Sequence, residues 1–169
     1  MYYSILDAAR MNFSIVKAKE LNKNFISLYK GRSEEKLEDV APFMFGLETS
    51  SKFIDWYLNE GWGDAWGVLF YSEHNFEDCW KHFRKFLIVK TEDGKELYFR
   101  FYDPRVLKIF LPTCEKDQMI EFFGPIERFI VEGDNRKDAL ELAQRNGILQ
   151  KRKMSATEVL EQMVQPSEK

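Results

Sequence analysis

Between Trp66 and Ser72 the chain runs Trp-Gly-Val-Leu-Phe-Tyr-Ser, almost without a polar residue. The run has the length of a strand rather than a helix. A strand with one solvated face alternates apolar and polar side chains. This one does not alternate, which predicts a strand buried on both faces. A sheet that contains such a strand has to be covered by helices.

Further strands recur along the chain. Residues 2–6 and 24–29 read as strands, the second closed by Lys30-Gly31. Residues 42–48 are apolar, bounded by turn residues, and read as a third. Residues 87–90 and 96–102 form a hairpin about Glu92-Asp93-Gly94-Lys95, where Asp-Gly is a strong turn signal. Residues 126–132 read as the last strand. Helices lie between them. The clearest covers 75–86, where Phe76, Cys79, Trp80 and Phe83 repeat at the helical period and Glu77, Asp78, Lys81, Arg84 and Lys85 lie elsewhere. A weaker stripe of Phe13, Val16, Ala18 and Leu21 marks 12–21. Ser33 caps a brief helix whose Glu34 and Glu35 suit its positive end, and Ser50 or Ser51 caps one that carries Phe53, Ile54, Tyr57 and Leu58 and stops at Gly61. Asp103 and Pro104 supply an N-cap and a preset first turn for a helix that Pro112 ends. Residues 115–123 are helical and stop at Gly124-Pro125.

The composition changes after Gly133: aromatic residues vanish and the chain becomes charged. Residues 135–146 read as a helix ending at Gly147. Ser155-Ala156-Thr157-Glu158 is a capping box that opens a final helix with the stripe Ala156, Val159, Leu160, Met163 and Val164. The expected organisation is an α/β or α+β domain over 2–132, a mixed β-sheet covered by helices, with a C-terminal helical extension over 133–169. A globule of 169 residues buries roughly 70% of the surface its unfolded chain exposes, so it folds without a disulfide or metal.

The formal net charge is −3. Nucleic-acid binders usually carry a basic field, and no nucleic-acid partner is expected here. The compact basic run Lys151-Arg152-Lys153 reads as a solvated linker. Cys79 and Cys114 give no disulfide framework and read as reduced thiols in a reducing compartment. Residues 1–7 lack the basic start and apolar stretch of a signal peptide. No apolar run approaches the roughly 20 residues that cross a bilayer. A cytoplasmic location without stable membrane insertion is therefore expected.

Chemistry-bearing constellations are sparse. Cys79 and His82 are three apart on one helix with His74 just before it, but Cys79 lies on the apolar stripe, so core packing is preferred to a metal site. Cys114 precedes Glu115 and Asp117 near a helix start, a poor setting for a nucleophilic thiolate. Ser33 to Lys36 fits S-x-x-K without its companion elements and reads as a helix cap. No glycine-rich phosphate loop is present, and no cofactor is expected. Gly61, Gly63 and Gly67 with Trp62 and Trp66 are either a tight turn packed by tryptophans or a ligand loop. Arg100, Asp103 and Arg105 form the sharpest polar set: an internal ion pair tying strand to helix, or an arginine fork for an acidic partner segment.

One ordered series of motifs goes further. Gly61-Trp62-Gly63, Trp66-Gly67-Val68, the helix to Leu87, Asp93-Gly94 and Phe99-Arg100-Phe101-Tyr102-Asp103-Pro104-Arg105-Val106-Leu107 follow one another. Leu28-Tyr29-Lys30-Gly31 and Ala41-Pro42-Phe43 precede them, and Phe122-Phe123-Gly124-Pro125 closes the series. Over about residues 2–132 this resembles the domain-of-unknown-function family numbered 4123. Members of that family are similar to adaptor chaperones of the type VI secretion system, which bind a toxic effector and help load it onto the valine–glycine repeat spike protein. The resemblance implies that role here, with a secreted effector protein and the spike as partners and no enzyme activity. Two other readings stand beside it: a small-molecule enzyme with a site around Arg100, Asp103 and Arg105, and an interaction module unrelated to secretion. The expected partner-binding residues are Trp62 and Trp66 in the glycine turn, Phe122 and Phe123 before Gly124, and the stripe Val159, Leu160 and Met163 on the last helix, because aromatic side chains in loops give contact area at low entropic cost.

Overall fold

The structure is a computed structural model and describes residues 1–29, 40–47, 51–90 and 93–164. Lys30, Gly31, Ser33 to Lys36, Glu48, Ser50, Glu92 and the side chains of Ser51 and Val164, to which turn, cap and stripe expectations attach, lie outside the described residues. The strands are β1 (Tyr2–Asp7), β2 (Phe25–Ser27), β3 (Pro42–Gly46), β4 (Gly67–Tyr71), β5 (Ile88–Lys90), β6 (Glu96–Tyr98), β7 (Arg128–Glu132), β8 (Asp138–Arg145) and β9 (Ile148–Ser155). The helices are α1 (Ala8–Met11), α2 (Ser14–Leu21), α3 (Ser51–Trp56), α4 (Phe76–Arg84), α5 (Pro104–Phe110), α6 (Lys116–Phe123) and α7 (Ala156–Val164). A wide π-turn, Tyr57–Gly61, prolongs α3, and a 3-10 turn, Leu111–Thr113, prolongs α5.

Seven strands form one sheet in the order β2-β3-β1-β4-β7-β8-β9, and β5 and β6 pair separately. The α/β expectation holds, and the strand over 66–72 is buried as its composition predicts. Side chains from the large sheet divide by the two-residue period between two interiors. Tyr3, Ile5, Met44, Val68, Phe70, Phe129, Val131 and Leu142 face one, with Cys79, Phe83, Leu107, Met119 and Phe122 from α4, α5 and α6. Leu6, Phe43, Phe45, Leu69, Ile130 and Ala139 face the other, with Ala8, Met11, Ile15, Phe53 and Val159 from α1, α2, α3 and α7. The molecule is thus a helix–sheet–helix sandwich. Gly67 is required where β4 meets β1, since a Cβ there would run into the Ile5 carbonyl oxygen. On α2 the buried face is Ile15 and Ala18, while Phe13 and Val16 of the expected stripe are exposed.

Two expectations are corrected. Among the described residues every strand pairing is antiparallel, so the alternation of helices and strands does not produce a mixed sheet there. Residues 135–146 do not form a helix. Asp138–Arg145 and Ile148–Ser155 are strands paired from Asp138↔Ser155 to Arg145↔Ile148, and they extend the sheet. Only α7 of the C-terminal region is helical, and its capping box is present: Glu158 N donates to Ser155 Oγ at 3.1 Å, and Ser155 N donates to the Glu158 carboxylate at 2.6 Å. Both faces of β8 are covered, Leu140 and Leu142 by one helical layer and Ala139 by the other. A strand covered on both sides loses its alternation, and Ala, Leu, Glu and Gln then read as helix formers. Asn146 and Gly147 are the turn of a hairpin, with φ of 54° and 77°.

Gly147 tests this topology. A Cβ at that position would lie 2.8 Å from the Lys116 carbonyl oxygen, on a backbone that already disfavours L side chains. Gly147→Ala is expected to lower stability by about 1–3 kcal/mol, read from the urea midpoint. A helix stop at Gly147 would cost about 1 kcal/mol on conformational grounds alone, so a loss near the upper end of the range reports the close approach to Lys116.

Candidate functional site

Asp7 ends β1 and is 1% exposed. Its carboxylate accepts from the Arg100 guanidinium and, weakly at 3.4 Å, from Arg10 N at the start of α1. Arg100 lies two residues beyond β6, so the pair ties the small hairpin to the central strand. Asp103 is the N-cap of α5, accepting from Arg105 N at 2.9 Å and from the Arg105 side chain at 3.0 and 2.6 Å. Burial works against the charge of Asp103, but Arg105 outweighs it and holds the carboxyl below its ordinary value of 3.8. That contribution to stability is complete above the ordinary value and is lost as pH falls through the lower folded one. Arg100, Asp103 and Arg105 therefore act in two separate pairs, Asp7–Arg100 and Asp103–Arg105. Asp7, the buried member of the first, has no signature in the sequence that links it to Arg100.

The glycine turn is structural. Trp62 is fully buried, meets Tyr57 edge-on at 5.8 Å and donates from Nε1 to the Asp138 carbonyl at 3.0 Å. The Glu132 carboxylate accepts from Gly63 N at 2.8 Å and Ala65 N at 3.0 Å, closing the loop from the end of β7. Trp66 is half-buried against Trp56, with ring centroids 5.4 Å apart. Phe122 and Phe123 are buried within a ring cluster that includes Phe86, Phe101, Phe110 and Phe129. Val159 is fully buried, and Leu160 and Met163 pack beside it on the second interior. Trp62, Phe122, Phe123 and Val159 thus pack at home and present no docking surface; Trp66, Leu160 and Met163 are partly covered by the domain itself.

A surface that can receive something lies elsewhere. A half-open cleft of about 410 Å³ runs between the end of β2, the last turn of α4 and the small hairpin. Leu28, Leu87 and Ile88 supply apolar lining, with the rings of Tyr29 and Tyr98 in contact beside them, centroids 5.7 Å apart. Lys81, Arg84 and Lys85 line it as well. Their positions follow from the helix: i, i+3 and i+4 share one face. Lys81 pairs with Glu77 at 2.7 Å, and Arg84 lies 4.4 Å over the Trp80 ring, whose Nε1 donates to the Ser27 carbonyl at 3.0 Å. Tyr29 also reaches Tyr102, with the hydroxyls 3.5 Å apart, so the cleft wall adjoins the polar groups around Asp7. Burial raises the pKa of both tyrosines, which leaves them neutral donors. On the hairpin, Leu97 and Tyr98 are 51% and 53% exposed, and Val89 is exposed beside them. In the sequence these three cations read only as the polar side of a helix. The lining comes from three segments far apart along the chain, and no local pattern joins them.

Cys79 is buried in the first interior, and its burial pushes the thiol pKa up. His82 Nε2 is 2.8 Å from the Phe122 carbonyl, and burial lowers the pKa of that imidazole. Among the described residues no three of His, Cys, Asp and Glu gather as a metal site, and no helix is long and apolar enough to cross a membrane. A family model described as "Domain of unknown function (DUF4123)" matches residues 2–120. No curated protein and no solved structure matches the chain.

The Asp7–Arg100 pair yields a prediction. Arg100→Ala strands a buried carboxylate and should cost about 2–3 kcal/mol, less than a fully buried pair because the Arg100 side chain is 45% exposed. Asp7→Asn made in the same chain should restore at least part of that loss, as urea denaturation of the two variants will read. Equal or greater instability of the double variant contradicts the pairing.

Proposed function

The chain belongs to the DUF4123 family, and from that premise we propose that it is a non-catalytic adaptor or chaperone that binds a secreted effector protein in the bacterial cytoplasm. On this reading it helps load the effector onto the valine–glycine repeat spike protein of a type VI secretion system. The observation that carries the reading is the cleft between α4 and the small hairpin. It is half-open and lined by apolar and aromatic residues together with Lys81, Arg84 and Lys85. A segment of another protein fits such a surface, since contact area and rim charge are what it offers.

An enzyme built around Arg100, Asp103 and Arg105 has less support. Each of those arginines is engaged by a carboxylate that is at least 96% buried, and Asp103 spends its oxygens on a helix N-terminus. That is the arrangement of an internal tie.

A tagged copy expressed in its native cell should retrieve a secreted toxin together with the spike protein, identified by mass spectrometry. Deleting the gene should abolish secretion of that toxin while other spike-borne cargo still leaves the cell. Normal secretion of every effector from the deletion strain would retire the adaptor reading.

A further inference from the structure

The cleft also constrains what enters it. Three cations, Lys81, Arg84 and Lys85, stand within five residues on one helical face, and the ion pair Lys81–Glu77 is the only one among the described residues that involves them. The whole chain carries a formal charge of −3, so this cationic edge is a local feature set against the overall field. The negative end of the α4 dipole favours cations at its last turn. That accounts for their sign, but not for the apolar cleft they border. Beneath them lie the half-buried Ile88 and the buried Leu28 and Leu87, beside the touching rings of Tyr29 and Tyr98. An occupant therefore has to present negative charge to the rim and an apolar or aromatic side chain to the floor.

We propose that this cleft receives a short acidic segment of the partner protein, with one apolar or aromatic side chain seated on Ile88 and against the touching rings of Tyr29 and Tyr98. The proposal rests on the adaptor reading only for whose segment it is. Other occupants fit less well. A bilayer surface is flat on this scale and cannot reach a floor recessed between a helix and a hairpin. Single-stranded nucleic acid is held along extended basic grooves that span several nucleotides, whereas this cationic edge is one helical turn long on an acidic protein. A peptide with alternating acidic and apolar residues satisfies both requirements over a few residues, because its side chains point to opposite sides in turn.

The test uses the full chain and three fluorescent probes: a short peptide alternating Glu with Leu and Trp, its counterpart with Lys in place of Glu, and an oligothymidylate. Anisotropy should show binding of the acidic peptide, weakening as salt rises, and weak or no binding of the other two. Arg84→Glu with Lys85→Glu should reduce acidic-peptide affinity by at least about tenfold. Lys151→Glu with Lys153→Glu, an equal charge change on the exposed edge strand β9, should leave it within about twofold. Tyr98→Ala removes an exposed ring without changing charge and should weaken the acidic peptide too. No binding of the acidic peptide by the wild type overturns the proposal. So does equal loss in the β9 variant, or an oligothymidylate that binds more tightly than the peptide.

A second arm separates this inference from the adaptor reading. If the wild type and the Arg84→Glu, Lys85→Glu variant retrieve the same secreted toxin equally well, the cleft inference is wrong and the adaptor reading stands. If neither retrieves a toxin, the adaptor reading fails while the peptide arm still decides the chemistry of the cleft. Circular dichroism of each variant confirms that a lost interaction is not a lost fold.

Discussion

Strand β1 lies in the middle of the seven-stranded sheet, between β3 and β4, and every residue from Tyr3 to Asp7 is buried. A strand paired on both edges and covered on both faces leaves no exit for the charge at its end. Asp7 therefore needs a cation brought to it, and the chain brings Arg100 from just beyond the small hairpin. A two-stranded hairpin of three-residue strands is barely stable alone. Here it is held by that ion pair, by the bond from Phe99 N to the Leu87 carbonyl at 2.9 Å, and by the contact of Tyr98 with Tyr29. The buried carboxylate of the central strand thus fixes the wall of the cleft, which joins the fold to the site.

The same sheet explains what could be read from the sequence. The unbroken apolar run at 66–72 announces a strand covered on both sides, and the amphipathic pattern at 75–86 announces its covering helix. Asp103 with Pro104, Gly124 after residues 115–123, and Ser155 with Glu158 mark helix ends by chemistry confined to a few neighbouring residues, and those ends are where the structure has them. The region 135–146 misleads for the reason that 66–72 informs. With both faces covered, Ala139, Leu140, Leu142 and Ala143 show no two-residue period, and their types favour a helix. The remaining signal was Asn146-Gly147, which fits a helix stop and a hairpin turn equally well in sequence. Only pairing with β9 decides between them.

The site was less legible than the fold. Trp62, Phe122 and Phe123 belong to residue types enriched at interfaces, but the same types fill cores. Their burial is a property of the sandwich: two interiors on a wide sheet absorb most of the 26 aromatic side chains. The cleft residues carry ordinary local patterns. Lys81, Arg84 and Lys85 look like a solvated helix face until β2 and the hairpin are set beside them. A site assembled from residues 28–29, 81–88 and 98 is a product of tertiary structure, and a resemblance to a family names a role without indicating where that role is performed.

The central claim is that the partner is held at this cleft while the aromatic interiors serve the fold. Hydrogen exchange of the protein, alone and mixed with whatever partner a pull-down from its native cell identifies, tests the claim most directly. The account predicts slowed exchange in residues 81–90 and 96–98, with the strands of the large sheet unchanged from their protected state. Slowed exchange confined to another surface, such as the β9 edge or the exposed face around Phe13, with no change in 81–90 and 96–98, would contradict it.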